Sequence, residues 1–465
     1  MTVTQQEKNP LASEKVGKLI LGFAIPSIIS MVVNSLYNIV DQIFIGQGVG
    51  ILGNAATNIA FPVTIISTAA ALFLGIGSAS NFNIASGRGE HRKAVSYAGT
   101  GLGMLGICGV VLAAAVLLFL NFLLHVFGVT PEILPFAREY VGITALGLPF
   151  IALTNGGTHL IRADGSPRYS MVCILSGAIL NTILDPLFIF GFHWGIRGAA
   201  AATVIGQMVS GFLVILYFVR FRKMELSADM LIPRAACLKE IGALGMASCI
   251  NQVALAVVQI TMNNILRHYG ASSVYGTEIP LACVGVIAKV NMVFLSICIG
   301  LSQGCQPIWG FNYGAGSFGR VQEAYRKAFQ TAVAVGIVFF LCFQLFPRQI
   351  VSIFGSGSSL YYPFAERYFR IFMFMTFANG LQPISSGFFT SIGKAKLGVL
   401  VSLTRQVLFL IPLIIVFPML LGIDGVMYAG PIADSAAAVT AVSCAVRELK
   451  KMTAPSGTGR AEQTE

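Results

Sequence analysis

Charge is what this chain of 465 residues has least of: Asp, Glu, Lys and Arg make up 11% of it, and the acids number only 19. A soluble domain carries about 25% charge, so a water-soluble globular protein is excluded by composition alone. The nine cysteines form no CxxC pair, which excludes zinc-ribbon and thioredoxin-type chemistry. Scattered through apolar sequence, they read as packing residues. No GxxxxGK[ST] occurs, so the chain carries no ATPase of its own, and any work it does draws on a gradient. The GxGxxG at Gly101 to Gly106 lies in an apolar run with no strand before it and reads as a helix-packing face. HExxH is absent, and the chain is not read as an enzyme.

What the chain has is apolar length. Hydrophobic residues make up 55% of it and the mean hydropathy is +0.79. Segments near the ~20 residues needed to cross a bilayer recur along its whole length. Twelve spans are expected, at about 17–45, 54–82, 94–120, 132–160, 167–190, 196–220, 238–266, 277–308, 320–345, 360–388, 395–420 and 424–447. Several exceed ~25 residues, which implies tilt, kinks or ends that project into water. The first follows a polar lead and lacks a small-residue cleavage site, so it reads as a retained span.

The net charge of +11 invites a nucleic-acid reading, but its distribution opposes one. With an amino terminus in the cytoplasm and twelve spans, the inside segments hold 23 of the 30 Lys and Arg, among them Arg162, Arg220, Arg222, Lys223, Arg320 and Arg405. That asymmetry is the positive-inside rule: the basic residues encode orientation. The expected setting is a bacterial inner membrane with both termini cytoplasmic. Lys289 stands apart, inside a span.

The two halves echo one another. Arg92-Lys93-Ala94 matches Arg326-Lys327-Ala328, AREY (137–140) matches AERY (365–368), and Gly-Ile-Arg-Gly (195–198) matches Gly-Ile-Asp-Gly (422–425), at separations of 227 to 234 residues. Six spans per half keep both halves in one orientation, so the repeat is parallel, about an axis along the membrane normal. The expected organisation is a tail over 1–16, an N-lobe over 17–220, a polar tether containing Pro233 over 221–237, a C-lobe over 238–449 and a tail over 450–465.

Two acids sit inside apolar runs, Asp41 and Asp185. A carboxylate in hydrocarbon is costly, faces a polar cavity, and marks an ion or proton pathway by default. The plain alternative is capping at the outer interface, which the apolar Phe188-Ile189-Phe190 beyond Asp185 opposes. Asp434 is a third acid within a span, either a counter-ion to Lys289 or a second site, and the pairing is the favoured of the two. Pro26, midway along the first span, removes a backbone hydrogen bond there.

Five passages then converge: VDQIFIGQ (40–47), GIGSASNFNIASGRGE (75–90), RADGSPRYSM (162–171), NTILDPLFIFG (181–191) and GLSQGCQPIWGFNYGAG (300–316). Together they closely resemble the multidrug and toxic compound extrusion (MATE) family, most of all its MepA-like bacterial branch. The likeness covers Leu19 to Leu449. It implies an all-α integral membrane protein of twelve helices, in two six-helix lobes around a V-shaped cleft. It implies an antiporter that exports amphipathic or cationic drugs in exchange for H⁺ or Na⁺ by alternating access, with no cofactor and no obligate partner, functional as a monomer. It assigns the coupling cation to Asp41, Asn181, Asp185 and Thr203, and a bend in the first span to Pro26.

Depth agrees with that carry-over. Asp41 and Asp185 lie near the outer ends of their spans, and Thr203 lies about 10 Å inward on the sixth. Four oxygen-bearing side chains at one level suit a hard cation such as Na⁺, or a proton shared between two close carboxylates. Asn34, Asn38, Asn155, Lys289, Gln303 and Gln306 are candidate cavity residues for the drug. Where other branches carry acids in the C-lobe, this chain has Gln259 and Asn379, so cation binding there is not expected. A flippase for lipid-linked sugars is the alternative within the same superfamily; it needs several cavity cations, and Lys289 is the one unambiguous candidate.

Overall fold

A computed structural model describes residues 9–276, 278–353 and 360–453. Residues 1–8 and 454–465 of the two expected tails lie outside the described residues. Hydrocarbon leaves the backbone no water to bond, so apolar runs this long satisfy their N–H and C=O groups internally as helices. The spans are α1 (Val16–Gly48), α2 (Leu52–Gly87), α3 (His91–Leu118), α4 (Leu134–Ala163), α5 (Pro167–Gly191), α6 (Gly195–Phe221), α7 (Ala235–Ala271), α8 (Glu278–Gly314) and α9 (Phe318–Leu345). The broken α10 follows (Tyr361–Phe372, Thr376–Asn379 and Leu381–Ser391). After it come α11 (Ala395–Leu421) and α12 (Ile423–Met452). Helices α1–α6 form one lobe and α7–α12 the other. We call the end at which α1 begins basal and the opposite end apical.

The tenth span departs from the uninterrupted run that its hydropathy suggests. Pro383 has no N–H to give the carbonyl four residues back, Asn379, and the chain breaks at Gly380. The same device works in the first lobe, where Pro149 deprives Ala145 of a partner and α4 tightens to a 3₁₀ turn at Ala145–Gly147. Met373–Met375, the other interruption of α10, stands at the same distance from AERY as Ala145–Gly147 does from AREY. The duplication therefore extends to the irregularities of the helices.

The lobes meet through their basal halves. Gly77 on α2 lies against the backbone of Ile241 and Gly245 on α7, and Gly245 lies against Phe73, so close that any Cβ would strike main chain. Asn81 Nδ2 donates to the carbonyl of Glu240 at 3.0 Å, and the Glu240 carboxylate takes the Tyr97 hydroxyl. Midway up, the hydroxyls of Ser35 and Ser296 meet across the lobes. Apically α7 exposes Val253, Val257 and Ile260, and α8 exposes Lys289 and Met292. Gly245→Leu is expected to pry the base open, lengthening the distance between spin labels at Arg88 and Lys239. An unchanged distance distribution would show that this close approach does not hold the base shut.

Helix α1 belongs to both lobes. Its basal turns, Val16, Leu19, Ile20 and Phe23, are buried with Trp309 and Phe388 of the C-lobe. Just before them, Arg320 Nη2 donates to the carbonyls of Leu11 at 3.0 Å and Glu14 at 2.7 Å, pinning the chain's entry to α9. Its apical turns instead pack in the N-lobe, where Ile45 is buried with Ile189 and Ile196. Pro26 lies between these two attachments and leaves the Gly22 carbonyl without its helical donor, although the helix runs on through it. The inter-lobe tether is held to the N-lobe by Asp164, which accepts from the Tyr217 hydroxyl and the Lys223 N–H, both at 2.7 Å. Burial raises the Asp164 carboxyl above its ordinary value; those two hydrogen bonds act the other way.

Candidate ion site and cleft residues

Three helices bring the four expected cation ligands together. Asp41 lies seven residues below the apical end of α1, Asp185 six below that of α5, and Thr203 eight residues into α6, all at a depth of about 9–12 Å. Asn181 and Asp185 are one turn apart on α5 and share a face. What lets α6 come near enough is a glycine pair. A Cβ on Gly177 would overlap the Gly206 carbonyl, and one on Gly206 the Gly177 carbonyl. No larger residue at either position permits this approach.

Asn181 is the hub. Its Nδ2 donates to Asp185 Oδ1 at 3.3 Å and to Thr203 Oγ1 at 3.4 Å. The carboxyls of Asp41 and Asp185 lie close to one another. Asp185 is 0% exposed and Asn181 2%. Three acceptor oxygens in this cluster, Asp41 Oδ1, Asp185 Oδ2 and Asn181 Oδ1, are buried with no donor among the described residues. Two carboxyls sharing a site with unsatisfied oxygens call for positive charge between them, a proton or a small hard cation.

Two tyrosines complete the site, and the sequence reading missed both. Tyr37 lies one turn before Asp41 on α1, close to both carboxyls. Tyr140 on α4 stands beside Thr203, Asp41 and Asp185. The signal for Tyr37 was its four-residue spacing from Asp41. Tyr140 was noticed only as part of the AREY echo.

The candidate cleft residues divide. Asn34 and Asn38 share the face of α1 that carries Asp41, with Asn38 Nδ2 donating to the Asn34 carbonyl at 2.6 Å. Asn155 lies half-buried on α4. Lys289 is exposed in the apical half of α8. Gln303 and Gln306 sit lower on α8, buried where Gly300 and Gly304 press against Ile28 and Ala24 of α1, and the structure does not bring them to the acids. A cavity of about 400 Å³, lined by Val63, Ile66, Leu112 and Phe119, lies apart from the site between α2, α3 and α4. Another, about 240 Å³ between α1 and α5, is lined in part by Tyr37.

Asp434 calls for a correction. Its partner is not Lys289 but Arg405, whose Nε donates to Asp434 Oδ1 at 2.5 Å, with both residues buried. Nor does Arg405 belong to the basal loops. It lies inside α11, where the helix widens to a π-turn over Thr404–Leu410 and presents the guanidinium to α12. Among the expected C-lobe substitutes for acids, Gln259 Nε2 donates to Asn263 Oδ1 at 3.0 Å and Asn379 is buried at the break in α10.

Comparison with known proteins bears on the whole arrangement. The MatE family model matches residues 26–187 and 247–416, well over half of the chain. The chain is 24% identical over 446 residues to the multidrug export protein MepA of Staphylococcus aureus (strain NCTC 8325 / PS 47), covering 94% of each. To the multidrug export protein MepA of Staphylococcus haemolyticus (strain JCSC1435) it is 24% identical over 433 residues, covering 91% of this chain and 92% of that one. A solved structure described as the outward-facing conformation of a multidrug resistance MATE family transporter of the MOP superfamily superposes with a TM-score of 0.88. That alignment is 22% identical and covers 97% of this chain and 99% of the other. At that identity the likeness speaks for the fold.

Proposed function

This chain belongs to the MatE family, and we propose that it is a secondary antiporter that exports amphipathic or cationic drugs in exchange for H⁺ or Na⁺ taken up at Asp41, Asn181, Asp185 and Thr203. The observation that carries the reading is the cluster of three donor-less oxygens around two close carboxyls, buried inside one lobe. The names of the relatives support export of drugs, and the exposure of Lys289 and Met292 in the apical half of α8, above the inter-lobe contact at Ser296, supports a cleft open at that end and alternating access. Positive-inside charge supports an orientation with the basal end in the cytoplasm of a bacterial inner membrane, which makes the cleft outward-open. The polar face of α1 that bears Asn34, Asn38 and Asp41 supports a drug route beside the ion site.

Coupling runs through α1. In the outward-open state a cation enters from the apical side and cancels one of the pair's two negative charges, weakening the attraction that a cationic drug feels near Asp41. Because α1 is buried in the C-lobe at its base and in the N-lobe at its top, a change in its apical packing strains the inter-lobe contact across Pro26. If one drug cation leaves for each monovalent ion that enters, no net charge moves. The membrane potential, worth about 2.3 kcal/mol per charge per 100 mV, then does no work, and the chemical ion gradient alone drives export. The flippase alternative finds no support in the cleft: Lys289 stands alone there, and Arg405 is neutralised by Asp434.

Everted membrane vesicles test the proposal. Ethidium or fluoroquinolone uptake should follow an imposed gradient, inside-acid or inside-high in sodium, and collapse when that gradient is dissipated. Uptake indifferent to both gradients would remove antiport.

A further inference from the structure

The motif RADGSPRYSM contains a buried charge that the ion site does not use. Arg162 lies in the last turn of α4 and is 2% exposed. Its Nη1 donates to Ser170 Oγ on α5 at 2.9 Å. Its Nε and Nη2 have no acceptor among the described residues, and no carboxylate pairs with it. These two nitrogens form the side of the guanidinium that binds an anion bidentately. One turn earlier on the same helix face, His159 is 3% exposed and its Nδ1 also lacks a partner. Asp164, the nearest acid in the chain, does not fill the gap, because it is engaged by Tyr217 and Lys223.

A guanidinium does not lose its proton in proteins, and a buried charge is paired or otherwise coordinated. Placement at a helix C-terminus favours a cation there but supplies no acceptor to the Nε/Nη2 edge. We propose that this edge of Arg162, with His159 Nδ1 beside it, binds a small monovalent inorganic anion of the halide class at the basal end of the N-lobe. One guanidinium supplies one charge, so a monovalent ion balances it, whereas a dianion leaves a unit of charge buried without compensation. Burial below 4% for both side chains favours an ion of one atom over a bulky carboxylate. The bound anion ties α4 to α5 through Arg162 and Ser170, on the side of the lobe opposite the cation site.

The test uses the purified full-length protein in detergent, in potassium salts so that sodium binding elsewhere is constant. At fixed ionic strength, replacing gluconate by chloride or bromide is expected to raise the unfolding midpoint by a few degrees, saturably, and phosphate to raise it less. Arg162→Gln should lose the halide dependence. Crystals of the wild type in bromide should show an anomalous peak on the Nε/Nη2 edge, a readout that does not depend on any variant folding. Equal midpoints in bromide and gluconate, a halide effect that survives Arg162→Gln, or a bromide crystal with only water at that edge would each overturn the proposal.

Discussion

Asp41→Asn and Asp185→Asn should each reduce gradient-driven drug uptake to the level of vesicles lacking the protein. Both changes are isosteric, so the fold has no reason to fail. At position 185 the new carboxamide oxygen can still accept from Asn181 Nδ2, whose bond to Thr203 is untouched. What disappears is the second negative charge at a site where two carboxyls lie close to one another and three oxygens lack donors. Truncating one partner of a buried charged interaction costs about 2–5 kcal/mol, which corresponds to roughly 30-fold to several-thousand-fold weaker cation binding. A working ion gradient does not compensate for such a loss. Drug binding to the purified protein should change by far less, because Asn34 and Asn38 remain. Thr203→Val, which removes one neutral ligand, should cost only about 1 kcal/mol and leave measurable transport. Gradient-driven uptake persisting in both aspartate variants would remove the N-lobe site from the mechanism.

The contrast between what was legible and what was not follows from the range of the interactions involved. Hydropathy located the twelve spans because the cost of exposing backbone in hydrocarbon is local and acts at every residue. Asp41 and Asp185 stood out because an acid in an apolar run is rare wherever the helix points. The breaks in α4 and α10 were legible in principle from Pro149 and Pro383, but an unbroken apolar run concealed them. Arg405 was misplaced because a basic residue ten positions into α11 looks like a loop cation until the π-turn and its partner Asp434, 29 residues later, are seen together. Gln303 and Gln306 are buried because the lobes close at the base, a property of one conformational state that residue type does not encode. Tyr140 shows the same limit: its role depends on α4 lying beside α6, a packing choice set by small residues on several helices.

The Arg405–Asp434 pair carries the second large expectation. Both side chains are buried, at 6% and 3% exposure, so removing either leaves the other as an isolated charge inside the C-lobe. Arg405→Met and Asp434→Leu are each expected to destabilise the protein by about 3–5 kcal/mol, seen as a much shorter half-life at elevated temperature in detergent. The double variant should recover most of that loss, because an apolar pair of similar volume needs no counter-charge and often matches or exceeds a buried ion pair in stability. Strict additivity of the two single losses would show that the pair is not what makes either residue necessary. The double variant also decides what Asp434 does in transport. Arg405 acts as a tethered cation at that carboxylate, occupying the place that an exchanging ion would need. Gradient-driven uptake should therefore survive in Arg405→Met/Asp434→Leu while it is lost in Asp41→Asn, and its loss in the double variant would make the C-lobe acid part of the coupling.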